Sequence, residues 1–332
     1  MLSFNKGSRA IAVVSGGKLN GKILKIDDVQ KPKPVQESSS DEEDEEDEED
    51  EYDIEYPAEY LDDQFYSKAI PGRLTREKKH DIYENLNMAL ESKSKKKLPA
   101  KLHKAYELAM QKIISDMQKE VKLSDGKLIP IPQKFDSGSE HGYVAGPSGS
   151  GKSTYVGEYI RLFKQQHPKA KVWMFSRVDK DAVIDKQGVS RIALDEGLVE
   201  DPIAPSELSG GKPTLVIFDD VDTIRDKKIK ENVCGLRDDI LETGRHDNIT
   251  SISTNHIICD YKNTKRLLNE AKYITLFPKS GSTFHIKRVL KEYVGLDQAT
   301  IKKILSLDSR WVTVYKVAPM LVIHERGCFL IN

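Results

Sequence analysis

Gly146-Pro147-Ser148-Gly149-Ser150-Gly151-Lys152-Ser153-Thr154 sits between an apolar run at 142–145 and a helix-like stretch at 155–163. It fits the pattern G-x-x-x-x-G-K-[ST] in the strand, loop and helix setting that the pattern requires. Glycines at 146, 149 and 151 let the backbone curl so that successive N–H groups converge on phosphate oxygens. The helix that follows adds the positive end of its dipole. All nine residues are therefore expected to hold the phosphates of ATP. Lys152 should reach the β- and γ-oxygens, and the Ser153 hydroxyl should bind Mg²⁺.

Such a loop needs a carboxylate at the end of a neighbouring strand, and Thr214-Leu215-Val216-Ile217-Phe218-Asp219-Asp220 supplies two acids after an apolar run. Asp219 is the expected Mg²⁺ ligand, through water, and Asp220 the expected general base for the attacking water. Asp220 is one methylene shorter than the Glu that many ATPases carry there, and Asp222 is its substitute. After the acidic pair come a helix-like segment at 227–243 and a strand-like one at 249–254. In ATPases with an extra strand between the two phosphate-site strands, that later strand enters the middle of the sheet. Asn255 at its end is then the candidate γ-phosphate sensor, with Thr254 and His256 beside it.

Two near-matches are weaker. Leu208-Ser209-Gly210-Gly211 looks like the signature of transporter-type ATPases, but the acidic strand begins three residues after Gly211, which leaves no room for the helix that separates the two. It is read as a surface turn. The phosphate loop also resembles that of guanylate kinases, which lack a double acid followed by a sensor strand.

From residue 142 onward, short apolar runs at 171–175, 214–218, 249–254 and 273–276 alternate with helix-like segments. This predicts an α/β fold of the RecA-like P-loop NTPase kind, a mostly parallel sheet flanked by helices. It occupies 131–332 and ends in a hairpin around Ala318-Pro319. Residues 64–130 read as helical: Tyr106, Met110, Ile113, Ile114, Met117 and Val121 recur at helical spacing. Residues 1–30 suggest a small β-hairpin appendage around Gly16, Gly17 and Gly21. Residues 31–63 hold the run DEEDEEDEEDE at 41–51 and too little apolar content to offset the entropy of ordering, so a disordered acidic linker is expected.

The charge is as divided as the pattern. Of 332 residues, 52 are Lys or Arg and 53 Asp or Glu, yet 17 of the acids fall within residues 37–63, where no base occurs. The remaining chain carries about +16, a balance that suits a polyanionic partner. Cys234, Cys259 and Cys328 are far apart, which excludes a disulfide framework or a cysteine-rich zinc module and suits a reducing compartment. No apolar run approaches 18 residues, so no membrane span is expected and the chain reads as soluble and intracellular.

Taken together, the phosphate loop, Lys171-Val-Trp-Met-Phe-Ser-Arg177, the Asp219-Asp220 pair and Thr243-Gly-Arg-His246 ahead of the sensor strand resemble the DNA-packaging ATPases of large DNA viruses, poxvirus-type members of the FtsK–HerA superfamily. The resemblance covers roughly residues 135–330. One departure is Asn255, where the family commonly has Gln. The resemblance implies a ring of identical subunits that hydrolyses Mg²⁺-ATP to drive double-stranded DNA into a capsid. A capsid or portal component would be its partner, and the host cytoplasm, a viral factory or the virion its place. In such a ring Arg245 is the expected finger on a neighbour's ATP, with Arg177 as the alternative. Lys262, Lys265, Arg266, Lys287, Arg288 and Lys291 are candidate phosphate-backbone contacts. The alternatives are a hexameric helicase or partition-type motor, a nucleotide phosphotransferase, and a scaffold that binds ATP without turnover.

Overall fold

Five consecutive buried residues, His141–Ala145, form strand β6 of a computed structural model that describes residues 1–26, 63–70, 72–91, 98–117, 119–133, 139–260 and 263–331. A strand buried along its whole length must be covered on both faces, which is the situation of a central strand in a parallel sheet. The neighbouring strands β9 (Thr214–Asp219) and β10 (Ile249–Asn255) are buried in the same way. The sheet has ten strands in the order β4-β14-β13-β12-β11-β6-β10-β9-β7-β8. Strands β7 (Lys171–Ser176), β8 (Ser190–Ile192) and β11 (Tyr273–Leu276) run parallel with β6, β9 and β10. Strands β12 (Val312–Tyr315), β13 (Leu321–His324), β14 (Gly327–Leu330) and β4 (Glu120–Lys122) extend it antiparallel. The fold is thus the expected P-loop α/β class, with β10 inserted between β6 and β9.

Helices α4 (Lys152–Gln166) and α8 (Lys227–Thr243) follow β6 and β9 and bury one face each, Val156, Tyr159, Ile160 and Phe163 on the first and Val233, Leu236 and Ile240 on the second. Asp226 caps α8 by accepting from the Ile229 amide at 2.9 Å. The Leu208–Gly211 stretch closes the short helix α7 (Pro205–Ser209), with Gly210 and Gly211 at positive φ, as a turn does.

The N-terminal segment is more than a hairpin. Strands β1 (Leu2–Ser3), β2 (Arg9–Ser15) and β3 (Ile23–Ile26) form a second sheet with β5 (Lys127–Pro130), in the order β1-β3-β2-β5. Its buried side chains, Ile11, Val14, Leu24 and Leu128 among them, fall in one apolar cluster with Val144, Val156 and Ile217 of the phosphate-site strands and helix. The helical reading of 64–130 accordingly stops early. Residues 120–130 hold two strands, and Val121, read as the end of a helical stripe, pairs with Cys328.

A separate unit contains α1 (Asp63–Ala69), α2 (Arg76–Glu91), a 3₁₀ turn at Ala100–Leu102 and α3 (His103–Met117), closed around Phe65, Tyr66, Leu86, Leu90, Leu102 and Tyr106. The acidic run 41–51 lies outside the described residues. Among the described residues no helix is long and apolar enough to cross a membrane.

Candidate active site

Strand β6 ends at Ala145 and the chain turns at once into the phosphate loop. Gly149 and Gly151 have φ of +76° and +109°, a region that L side chains adopt only with strain. Gly146 is required for space: a Cβ there would lie 2.8 Å from both the Phe277 ring and Ser150 Oγ. The Gly146 amide donates to the Asn255 carbonyl at 3.1 Å, which ties the loop to the end of β10. Pro147 is half-buried, while Ser148 and Gly149 face solvent. Ser150 is buried, and its Oγ has no hydrogen-bond partner. Lys152, Ser153 and Thr154 open α4, where the first amides of a helix lack intrahelical acceptors.

Lys152 is only 8% exposed, and its Nζ has three neighbours. It donates to the Gly146 carbonyl at 2.9 Å, lies 3.0 Å from His256 Nδ1 and stands 3.8 Å from Asp220 Oδ2. Strand register puts Asp219 beside Ser176 on β7 and Thr254 on β10. Its Oδ1 accepts from Thr254 Oγ1 at 2.7 Å and its Oδ2 from Ser176 Oγ at 2.9 Å. Two hydroxyls therefore fix the plane of this carboxylate while its remaining lone pairs stay open.

Asp220 leaves the strand with φ +48°, and its amide donates to the Thr254 carbonyl at 3.1 Å. Its Oδ2 is 2.9 Å from His256 Nε2. Burial raises the Asp220 carboxyl above the ordinary carboxylate range; Asp219 and Asp222 push the same way, and Lys152 and His256 oppose. Burial likewise lowers the Lys152 ammonium, against the three aspartates. Both partners are thus pushed toward their neutral forms by loss of water.

Asn255 is 2% exposed at the end of β10, in register with Ala145, and its Oδ1 has no partner. One carboxylate oxygen of Asp222 is likewise buried and unpaired, and both residues line an open cavity of about 550 Å³. The two arginines stand elsewhere. Arg245 is exposed between the end of α8 and the start of β10, its Nε 3.3 Å from His246 Nε2. Arg245 precedes β10 and Asn255 ends it, and the strand from Ile249 to Asn255 spans roughly 20 Å at strand rise. Arg177 is exposed directly after Ser176, at the Asp219 end of the sheet. The residue that sequence reasoning underrated is His256, noted only as a neighbour of Asn255; a contact between β10's terminus and a loop 104 residues earlier leaves no mark in local sequence.

Among the described residues no group of three or more His, Cys, Asp or Glu is placed to hold a metal. Mg²⁺ is typically bound by one or two carboxylates together with substrate phosphates and waters. Asp219, with lone pairs left open beside its two hydroxyl donors, has the chemistry of one such carboxylate.

No family model matches the chain. Uncharacterized protein V3 of Sputnik virophage is 41% identical over 210 residues, 63% of this chain and 83% of that protein. Among solved structures, the genome packaging NTPase B204 of Sulfolobus turreted icosahedral virus 2 with ATP-gammaS is similar over 58% of this chain and 99% of that one, at 17% identity and a TM-score of 0.39. The pCW3 conjugation coupling protein TcpA is similar over 63% of this chain and 66% of that one, at 14% identity and a TM-score of 0.40.

Proposed function

The chain belongs to the same family as protein V3 of Sputnik virophage, and from that premise and the geometry of the site we propose that it is an ATP hydrolase that moves double-stranded DNA during viral genome packaging. The observation that carries the hydrolase reading is the convergence of Lys152, Asp219, Asp220 and Asn255 at the ends of β6, β9 and β10, three adjacent parallel strands. Ligands of open α/β sheets bind at that end of the strands.

In this reading the loop amides of residues 146–154 and the Lys152 ammonium hold the triphosphate, and Ser153 and Asp219 hold Mg²⁺, which when bound neutralises charge on the phosphate oxygens. Asp220, displaced from Lys152 as phosphate takes the ammonium, accepts the proton of the attacking water. Its raised proton affinity favours that role. In this reading Asn255, at the end of β10 in register with Ala145, serves as the γ-phosphate sensor through its side-chain N–H donors.

Arg245 is remote from its own chain's site, so as a finger it serves a neighbouring subunit, which is the arrangement a ring provides. Arg177 is the alternative from the same end of the sheet as Asp219. The packaging element of the proposal is supported by the sequence resemblance, by a virophage relative and by the net positive charge outside residues 37–63.

The hydrolase reading is tested by phosphate release from ATP with the full chain and two variants. Asp220→Asn is expected to lower turnover about 10²- to 10⁴-fold while ATP still binds. Lys152→Ala is expected to lose ATP binding as well. Transfer of the phosphate to added nucleoside monophosphate, in place of release, would make the chain a kinase.

A further inference from the structure

A cavity of about 190 Å³ adjoins the phosphate loop. Ser150, Gly151 and Thr154 of the loop form one edge, whereas neither Lys152 nor Asp220 lines it. Its walls come from distant parts of the chain: apolar groups from Leu128 and Ile129 of β5, Tyr155 of α4, Phe277 after β11 and Trp311 ahead of β12, with the charged Lys127, Glu158, Arg310 and Glu325 among them. The Tyr155 and Trp311 rings meet edge to face, 5.3 Å between centroids. We infer that this cavity seats the nucleobase, that the N-terminal sheet supplies one of its walls, and that the site accepts nucleoside triphosphates with little regard to the base. This rests on the reading that the loop binds a nucleoside triphosphate.

Placement comes first. With the γ-phosphate end fixed by Lys152, the other end of a nucleotide leaves the loop past Ser150 and Thr154 and enters the cavity. Its volume is below the 300–1,000 Å³ of a pocket for a whole drug-sized ligand and suits one ring system whose phosphates lie outside. Strand β5 is held there from both sides. It pairs with β2 from Ala12↔Pro130 to Ser15↔Lys127, and the Leu128 amide donates to the Glu325 carbonyl at 2.9 Å, so the small sheet and the β13–β14 turn together fix the wall.

Permissiveness follows from where the polar groups point. The Tyr155 hydroxyl is bonded to Thr313 Oγ1 at 3.0 Å, within the sheet, which leaves its ring as the binding surface. Glu325 has both oxygens engaged, Oε1 by Lys127 Nζ at 2.9 Å and Oε2 by the Arg310 amide at 2.8 Å. The buried, unpaired Ser150 Oγ is at the loop edge, beside sugar and phosphate. Glu158 is paired with Arg161 at 2.8 Å, and the Arg310 guanidinium stands 3.7 Å from Glu325 Oε1. With these charges directed at one another, a base meets mainly rings and aliphatic groups, and strong discrimination needs dedicated hydrogen-bonding partners.

The test is calorimetric titration of the full chain with ATP, GTP, CTP and inorganic tripolyphosphate, using wild type, Trp311→Ala, Ile129→Ala and Lys152→Ala. ATP is expected to bind at least about tenfold tighter than tripolyphosphate, with ATP and GTP within about threefold of each other. Trp311→Ala should weaken ATP about tenfold and Ile129→Ala a few-fold, both with tripolyphosphate affinity unchanged, which also shows that the variants are folded. Equal affinity of wild type for ATP and tripolyphosphate, unchanged ATP affinity in both wall variants, or a preference for one base above about a hundredfold would overturn the inference. Failure of wild type to bind tripolyphosphate and ATP alike, or indifference of both to Lys152→Ala, would overturn the phosphate-loop reading beneath it.

Discussion

His256 stands between the two charged groups of the site, with Nδ1 3.0 Å from Lys152 Nζ and Nε2 2.9 Å from Asp220 Oδ2. An imidazole can serve both contacts, accepting from the ammonium on one ring nitrogen and donating to the carboxylate from the other. In the proposed reaction this contact would hold the Asp220 carboxylate in place while Lys152 turns to phosphate. His256→Ala is therefore expected to lower kcat about tenfold with little change in KM for ATP, and His256→Gln, which can still donate, to recover part of the loss. A change confined to KM would remove His256 from this role. Glu140 gives the second residue-level expectation. It is buried, its Oε2 accepts from the Tyr159 hydroxyl at 2.5 Å and from the Gln133 amide at 3.0 Å, and burial pushes its carboxyl up to about 8 from 4.5. Between those values the folded chain keeps a proton that the unfolded chain has released, so stability is highest below the lower value and declines as pH rises toward the upper. Glu140→Gln should flatten that decline, raising Tm at pH 8 while leaving it nearly unchanged at pH 4.5. Parallel Tm–pH curves for the two proteins would contradict the assignment.

At the scale of elements, the sheet depends on close approach between β6 and β11. A Cβ on Gly142 would collide with the ring of Tyr273 on β11, its register partner, and Tyr273 is fully buried. Gly142→Ala is expected to destabilise the chain by about 1–3 kcal/mol, read by denaturant unfolding. No measurable loss would mean that the two strands are not this close. The same elements show what was legible in sequence. The strand, loop and helix around Gly146 to Thr154, and the apolar run ending in Asp219-Asp220, carry local signals strong enough to read directly. The insertion of β10 between β6 and β9 followed from spacing and family pattern. Strand β5, Lys-Leu-Ile-Pro, did not: four residues without clear alternation find their partner on β2, more than a hundred positions earlier. The joining of the N-terminal hairpin to the phosphate-site core, like the Lys152, His256 and Asp220 contact, depends on such long-range pairing.

At the scale of the whole molecule, the proposal joins a hydrolytic site to a polyanionic track. The chain outside residues 37–63 has 52 basic against 36 acidic residues, which favours sequence-blind contact with phosphates. Of the candidate contacts, Arg266 is occupied by Asp238 at 3.3 Å and Glu242 at 3.0 Å, and Arg288 by Glu292 at 2.9 Å, while Lys262 lies outside the described residues. DNA affinity is accordingly expected to fall steeply with salt, with a log–log slope of about −0.9 for each phosphate contacted. The most direct measurement is the rate of ATP hydrolysis by the assembled wild-type oligomer with and without linear duplex DNA, beside Lys152→Ala and Asp220→Asn. The translocase account predicts strong stimulation by DNA that disappears in both variants. A hydrolysis rate in the assembled oligomer that is indifferent to duplex DNA would contradict it.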